Sequence, residues 1–339
     1  MPSNRPFFFL RRRIPSVFSR FARVLCVAGL SWAGASAAAQ PVPQVRLAEV
    51  TAESHPYTVW HCARLPIETR FLGSALEVKI AEESRILLQA MSASGARYAA
   101  PDDSGTEFWN KGAVANVTWS GQALPTCTEA GAVVTPFRAS GNEPFWAIDY
   151  DGWQITLQQP GVPARSFDAQ VAERRPDGLA LQGKEGGETL RLDIGEGVCQ
   201  DSMSGLMRPY AVTLHSGGQA LQGCGGDPAR LLQGVRWVLK SMGDAALAAP
   251  AWIEFLPEGR LAGHNGCNRL MGNYTITGEG ITFGQLGTTR MACAPEAMAQ
   301  GNAVDRYLSA VRGFSVDAED TLILATGEGE LVAKVEAGN

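Results

Sequence analysis

The stretch "MSASGARYAAPDDSGTEFWNKGAVANVTW", residues 91 to 119, holds the side chains of this chain best suited to chemistry. Ser94, Gly95, Arg97 and Tyr98 precede an acidic loop rich in Pro, Gly and Ser, and Phe108, Trp109 and Lys111 follow it. A serine hydroxyl donates and accepts, and a lysine ammonium carries three donors, so the two together can engage a pair of carboxylic groups. The same two residues could form a nucleophile and its base, but that role needs a lysine stripped of water. A polar turn beside Asp102, Asp103 and Glu107 does not provide one. Ser94 and Lys111 therefore read as binding groups, not as a hydrolase dyad.

Other catalytic patterns are missing from the sequence. His55, His61, His215 and His264 include no two at metal-ligand spacing, and there is no Gly-x-Ser-x-Gly elbow, P-loop or dinucleotide fingerprint. His61-Cys62 and His264 with Cys267 look zinc-like only if the cysteines are not spent in disulfides. We expect no enzyme activity, no metal and no cofactor. Glu143 before Pro144 reads as a buried or capping carboxylate, and Asp201 as the cap of a turn.

Where the chain resides decides what the cysteines do. Residues 1–39 carry six arginines and no acid, then an apolar run from Val24 to Ala35 and a small-residue stretch at Ala37, Ala38 and Ala39. The run is too short to span a bilayer, and its order is that of a secretory signal cleaved before Gln40. Arg12-Arg13 raises a twin-arginine route, which Pro15 and the later arginines fit poorly. Cys26 could accept a lipid, but Leu25 stands where such sites want a small residue. A periplasmic or envelope location without a transmembrane helix in the mature chain is expected.

Cleavage would remove six of the 29 basic residues and none of the 34 acidic ones, leaving 23 against 34, an excess of 11 negative charges. Such a chain is no nucleic-acid binder, which would need clustered cations. It suits a basic protein partner. Six cysteines remain, Cys62, Cys127, Cys199, Cys224, Cys267 and Cys293, an even number that reads as disulfides in an exported protein. Six allow about 15 connectivities. Taken in sequence order they form three pairs, the pattern of three separately stapled domains.

The elements that must position these residues are mostly strands. Leu76, Val78 and Ile80 alternate with Glu77 and Lys79, and "RILLQAMSA" continues that theme. "AIDYDGWQITLQ", "GLALQG", "TLRLDI" and "YAVTLHSG" follow, with Asp151-Gly152 as a hairpin signal. The third segment adds "AWIEFL", "GNYTITG", "TLILATG" and "ELVAKVEA". Met298, Val304, Leu308 and Val311 have helical spacing, with Pro295 at a first-turn position and Gly313 as a stop. Turn-rich stretches at 125–136 and 215–230 divide the chain, with Gly-rich junctions at 128–134 and 216–226. A mainly β chain of three small domains is expected, at 50–130, 135–228 and 229–337.

Several stretches resemble known families. "YTVWHC", "SASGARY", "FWNKG" and the closing "TC" at 126–127 resemble, in order and cysteine position, the membrane-bound or periplasmic inhibitors of C-type lysozyme. That resemblance implies an eight-stranded antiparallel β-barrel whose loops plug the lysozyme active-site cleft. By position it places Ser94 and Lys111 in the cleft, Gly95 at the tight turn, and Tyr98 and Trp109 as aromatic supports or contacts. Tyr98 and Trp109 could equally be core in a hairpin. The segment "AAPDDSGTE" is longer than the family pattern, which puts the reach of Lys111 relative to Ser94 in question and adds acids able to neutralise it.

"GNEPFWAIDYDGW" and the Cys199/Cys224 region resemble an uncharacterised bacterial envelope domain, expected as a β-barrel or sandwich. "GVRWVLKSM", "GHNGCNRLMGNY" and "TTRMAC" resemble the META family of heat-shock-associated envelope domains, expected as an α+β sheet with one helix. There Gly266, Asn268 and Gly272 read as turn residues tolerating positive φ, with Cys267 bonded to Cys293. The resulting expectation is an envelope protein that inhibits C-type lysozyme. The competing expectation is a non-inhibitory envelope stress or ligand-binding protein made of three structural modules.

Overall fold

The structure is a computed structural model that describes residues 55–103, 105–317 and 319–336. Residues 1–39, read above as a secretory signal, and Cys26 within them lie outside these residues. The first sheet runs through β1 (Thr58–Cys62), β2 (Leu65–Leu72), β3 (Ala75–Ile80), β4 (Glu83–Ala90), β5 (Ala96–Ala99), β6 (Glu107–Lys111), β7 (Val114–Trp119), a two-residue β8 (Gln122–Ala123) and β9 (Cys127–Glu129). All neighbours are antiparallel. Pairing of β6 with β7, β7 with β9 and β9 with β1 closes eight of these strands into a barrel, and β8 sits on β7.

Alternation fills this barrel. Ile67, Leu76, Val78, Leu87, Phe108 and Val117 are buried inside, and the Trp60 ring meets Phe108 edge-on at 5.2 Å. The outward face is less simply solvated than alternation alone suggests. Glu77 is only 9% exposed, because the Ser84 hydroxyl (2.6 Å), the Tyr57 hydroxyl (3.1 Å) and the Arg70 guanidinium all donate to its carboxylate.

The second sheet is also a closed barrel, in simple chain order. Its strands are β10 (Phe137–Asn142), β11 (Phe145–Tyr150), β12 (Gln154–Gln158), β13 (Arg165–Arg175), β14 (Gly178–Glu185), β15 (Glu188–Gln200), β16 (Met207–Ser216) and β17 (Gln219–Gly225). The Asp151-Gly152 pair makes the β11–β12 turn, with the Asp151 carboxylate accepting from the backbone of Trp153 and Gln154 at 2.8 Å each. Residues 216–226, expected as a junction, belong to this barrel. Gly217 and Gly218 form the β16–β17 turn, and β17 closes the barrel onto β10.

The third sheet comprises β18 (Arg236–Met242), β19 (Ala245–Ala246), β20 (Trp252–Leu256), β21 (Arg260–His264), β22 (Arg269–Thr277), β23 (Gly280–Phe283), β24 (Gly287–Thr288), β25 (Val311–Val316), β26 (Thr321–Thr326) and β27 (Gly329–Val335). Its main path, β23-β22-β21-β20-β18-β27-β26-β25, curls into a nearly closed barrel. The helix α1 (Pro295–Ala310) buries Val304 and Leu308 against a core containing Trp237, Ile253 and Phe255. Met298 is 45% exposed, and Gln300 and Gly301 are buried in its stead. The helix stops at Ala310, before Gly313, and Val311 opens β25.

One disulfide staples each sheet, Cys62–Cys127, Cys199–Cys224 and Cys267–Cys293, at sequence separations of 65, 25 and 26. The three sheets lie in one compact unit, Val50–Asn339. Each bridge lies within the segment that forms its own sheet, the first joining the paired residues Cys62 of β1 and Cys127 of β9.

Candidate functional site

The register of β5 on β6 sets the geometry of the 91–119 stretch. Ala96 pairs with Asn110, Arg97 with Trp109, Tyr98 with Phe108 and Ala99 with Glu107. The 91–95 loop and the 111–114 turn therefore share one end of the barrel, and the acidic loop at 100–106 lies at the other. The extra length of that loop does not enter the spacing between Ser94 and Lys111, which corrects the expectation that it would.

Gly95 brings the two tips together. Its φ is +69°, and a Cβ there would lie 2.2 Å from the Asn110 carbonyl oxygen and 3.4 Å from the Lys111 Cα, so only glycine lets the loop close on β6. The Ser94 carbonyl is held twice, by the Trp109 indole N–H at 2.8 Å and by the Ser92 hydroxyl at 2.5 Å. Ser94 and Lys111 are exposed. Among the described residues the Ser94 hydroxyl makes no hydrogen bond and Lys111 no ion pair, so both groups are presented to an outside partner.

The two aromatics separate. Tyr98 is 7% exposed, inside the barrel and edge-on to Phe71 at 6.1 Å. It supports the loop from within. Trp109, on the opposite face of the sheet, is 38% exposed and fixes Ser94 through its N–H.

Glu107 and Asp103 are already partnered, Asp102 is exposed, and among the described residues none of the three pairs with Lys111. The Arg97 guanidinium donates twice to Glu107, at 2.7 and 2.6 Å, and holds that carboxyl below its usual range. The Thr106 hydroxyl, then the Gly105 N–H and the Arg85 charge, do the same for Asp103. Arg85 was not legible as a site residue. It donates to Asp103, to Thr106 Oγ1 at 2.5 Å and to Ser120 Oγ at 2.8 Å, and it stacks over Trp119 at 4.4 Å, tying down the end of the barrel opposite Ser94.

Most residues singled out in the other sheets have structural work. Glu143 is the exception: it is exposed and, among the described residues, accepts no hydrogen bond, which corrects its reading as a buried or capping carboxylate. Asp201 caps its turn, accepting from Ser204 N at 2.7 Å, Ser204 Oγ at 2.8 Å and Met203 N at 3.1 Å. Trp146 is fully buried, and a Cβ on Gly141 would lie 2.4 Å from its Nε1, so the glycine and the tryptophan of "GNEPFW" are one packing unit.

In "GHNGCNRL" only Gly266 has positive φ, +100°. Gly272 lies within β22, where a Cβ would meet Leu286 at 2.8 Å, and Asn268 Oδ1 accepts from Met291 N at 2.7 Å. Asn265 and Gln300 carry more of the third sheet than any apolar pattern showed. Asn265 Oδ1 accepts from the Cys267 and Asn268 amides and its Nδ2 donates to Asp305 on α1 at 2.9 Å. Gln300 Oε1 accepts from the Ala248 and Ala249 amides at 2.7 and 2.9 Å. Among the described residues no group of three or more His, Cys, Asp or Glu side chains is arranged to hold a metal, and no helix is long and apolar enough to cross a membrane.

Comparison with known proteins finds likenesses to parts of the chain. Two solved structures resemble parts of it, both described as the NMR structure of a protein and the second from Burkholderia xenovorans. They are 28% and 26% identical, cover 32% of this chain and 93% and 87% of their own, and have a TM-score of 0.28 in each case. No curated protein matches the chain. Residues 60–125 match the family described as membrane-bound lysozyme-inhibitor of c-type lysozyme, and residues 230–339 match the META domain; neither is an enzyme family. Two segments of the chain thus match family models, that of the C-type lysozyme inhibitors and that of the META domain, and the middle barrel between them is reached by neither.

Proposed function

We propose that the protein is exported to the cell envelope and that its first barrel inhibits C-type lysozyme by inserting the Ser94 and Lys111 tips into the active-site cleft. A retaining lysozyme cleaves with two carboxylic groups about 5 Å apart. An exposed hydroxyl and an exposed ammonium on adjoining turns can bond to both at once, and such charge-assisted bonds are the stronger kind. The observation that carries this reading is the joint presentation of the Ser94 hydroxyl and the Lys111 ammonium, both without partners among the described residues, beside a loop locked by Gly95 and Trp109. The negative excess of the exported chain would speed docking onto a basic lysozyme and make association sensitive to salt. On this reading 50–130 is the inhibitory domain, and 135–228 and 229–337 are separate domains that accompany it.

The test is lysis of a bacterial cell-wall suspension by a C-type lysozyme in the presence of the protein and of its Ser94→Ala and Lys111→Ala variants. Wild type should block lysis, and each variant should lose about 2 kcal/mol or more of binding, as expected when one partner of a buried charged contact is truncated. If wild type never slows lysis, the plug mechanism is wrong and the reading as three non-inhibitory envelope modules replaces it.

A further inference from the structure

The largest concern outside the first barrel is a pair of arginines without counterions. Arg208, on β16, and Arg230, in the short 3-10 turn Pro228–Leu231, are both half-buried, and among the described residues neither lies in an ion pair. Arg230 spends its donors on backbone carbonyls of the first barrel, Thr126 at 2.7 Å and His61 at 3.1 Å. Arg208 donates from Nη1 to the Gly226 carbonyl at 2.9 Å, while its Nε is buried with no partner. In a chain with an acidic excess, two cations sheltered from water and left to carbonyls are a costly arrangement unless an anion completes it.

Both arginines line one cleft of about 410 Å³, within the size range of small-molecule sites. Phe137, Val134 and Pro228 give it an apolar wall, and Tyr210 lies between the arginines in sequence and in the same lining. Two other charges border it, and neither satisfies the pair. Arg138 is already bonded to Asp149 at 2.6 Å, and the Asp227 carboxylate caps the 3-10 turn through the Ala229 N–H at 2.9 Å.

We infer that this cleft is a binding site for a small anionic amphiphile, a carboxylate or phosphate on a compact apolar body. The anion would sit on Arg208 and Arg230, and the apolar body on Phe137 and Val134. Because the cleft is lined by Phe137, Arg208 and Tyr210 of the middle barrel, by the 3-10 segment leading to the third sheet and by Thr126 beside the first barrel, occupancy would also brace these parts against one another. The inference does not depend on lysozyme inhibition.

Calorimetric titration of the whole protein tests it with four probes. Octanoate represents an acyl-chain source and phenyl phosphate a compact soluble one; 1-octanol and inorganic phosphate each supply only half of the chemistry. Octanoate or phenyl phosphate should saturate a single site, the tighter of the two naming the source, with 1-octanol and inorganic phosphate at least tenfold weaker. Arg208→Gln should weaken that binding at least tenfold. Val134→Trp, which keeps both cations and fills the cleft, should abolish it. Failure of both anionic amphiphiles to bind, binding of 1-octanol as tight as theirs, or binding unchanged in both variants would each overturn the inference.

Discussion

Gly95 and Gly112 stand at the same end of the first barrel with φ of +69° and +61°, but a Cβ meets the Asn110 carbonyl oxygen at 2.2 Å in one and nothing within 4 Å in the other. Gly112→Ala should therefore cost only the left-handed backbone penalty, about 1 kcal/mol, and leave inhibition of lysis intact. Gly95→Ala adds a clash that moves the Ser94 loop off β6, so it should lose more stability in a denaturant titration and lose inhibition as well. Equal effects in the two variants would mean that closure of the 91–95 loop is irrelevant to binding. Trp109→Phe keeps the ring and removes one hydrogen bond, worth about 1 kcal/mol. It should speed hydrogen exchange in residues 92–95 without unfolding the barrel. At this scale the sequence located the Ser94 and Lys111 tips but not which way the aromatics face. Tyr98 and Trp109 straddle a loop of uncertain register, and one residue of slip exchanges the two faces of a strand.

The β5–β6 hairpin carries the clearest pH dependence. Glu107 is held down by Arg97, and Asp103 by the Thr106 hydroxyl, the Gly105 amide and Arg85. A carboxyl whose folded pKa lies below its unfolded value stabilises the fold above that unfolded value, near 4, and the contribution is lost as pH falls through the folded value. Denaturant midpoints should therefore be flat from pH 7 to about 5 and fall below about pH 4. Glu107→Gln should lower the midpoint at pH 7 and flatten part of the acid decline; an unchanged acid limb would remove the Arg97–Glu107 pair from the account. The strands, the Asp151-Gly152 turn and the helix start at Pro295 were legible because each follows from a period or a turn residue. The buried face of α1 was only half legible. Gln300 and Gly301 are buried through hydrogen bonds to residues 248–249 and contact with Asn265, which no apolar periodicity reports.

For the whole molecule, the three staples and the order of the parts were readable from cysteine spacing, whereas the way the parts meet was not. The Gly-rich run at 216–226 read as a junction and is a barrel hairpin; the contact between the first barrel and the third sheet depends instead on Gly234. Its φ is +91°, and a Cβ would lie 2.5 Å from the Cys62 carbonyl oxygen and 2.9 Å from the Leu65 amide nitrogen. Around it the Arg64 amide donates to the Gln233 carbonyl at 3.1 Å, and the Arg64 guanidinium lies 5.3 Å from the Trp237 ring centroid and pairs with Asp320. Gly234→Ala must push the Cys62–Leu65 turn away and break this joint while leaving each core intact. Differential scanning calorimetry of wild type should show the first barrel and third sheet unfolding together. In Gly234→Ala a separate, lower transition should appear, and Arg64→Ala should move in the same direction by less. A single, unshifted transition in Gly234→Ala would mean that this contact contributes nothing to holding the two parts together. The Ser94 and Lys111 end faces away from the 62–65 turn, so lysozyme inhibition should survive the same substitution, separating the joint from the site.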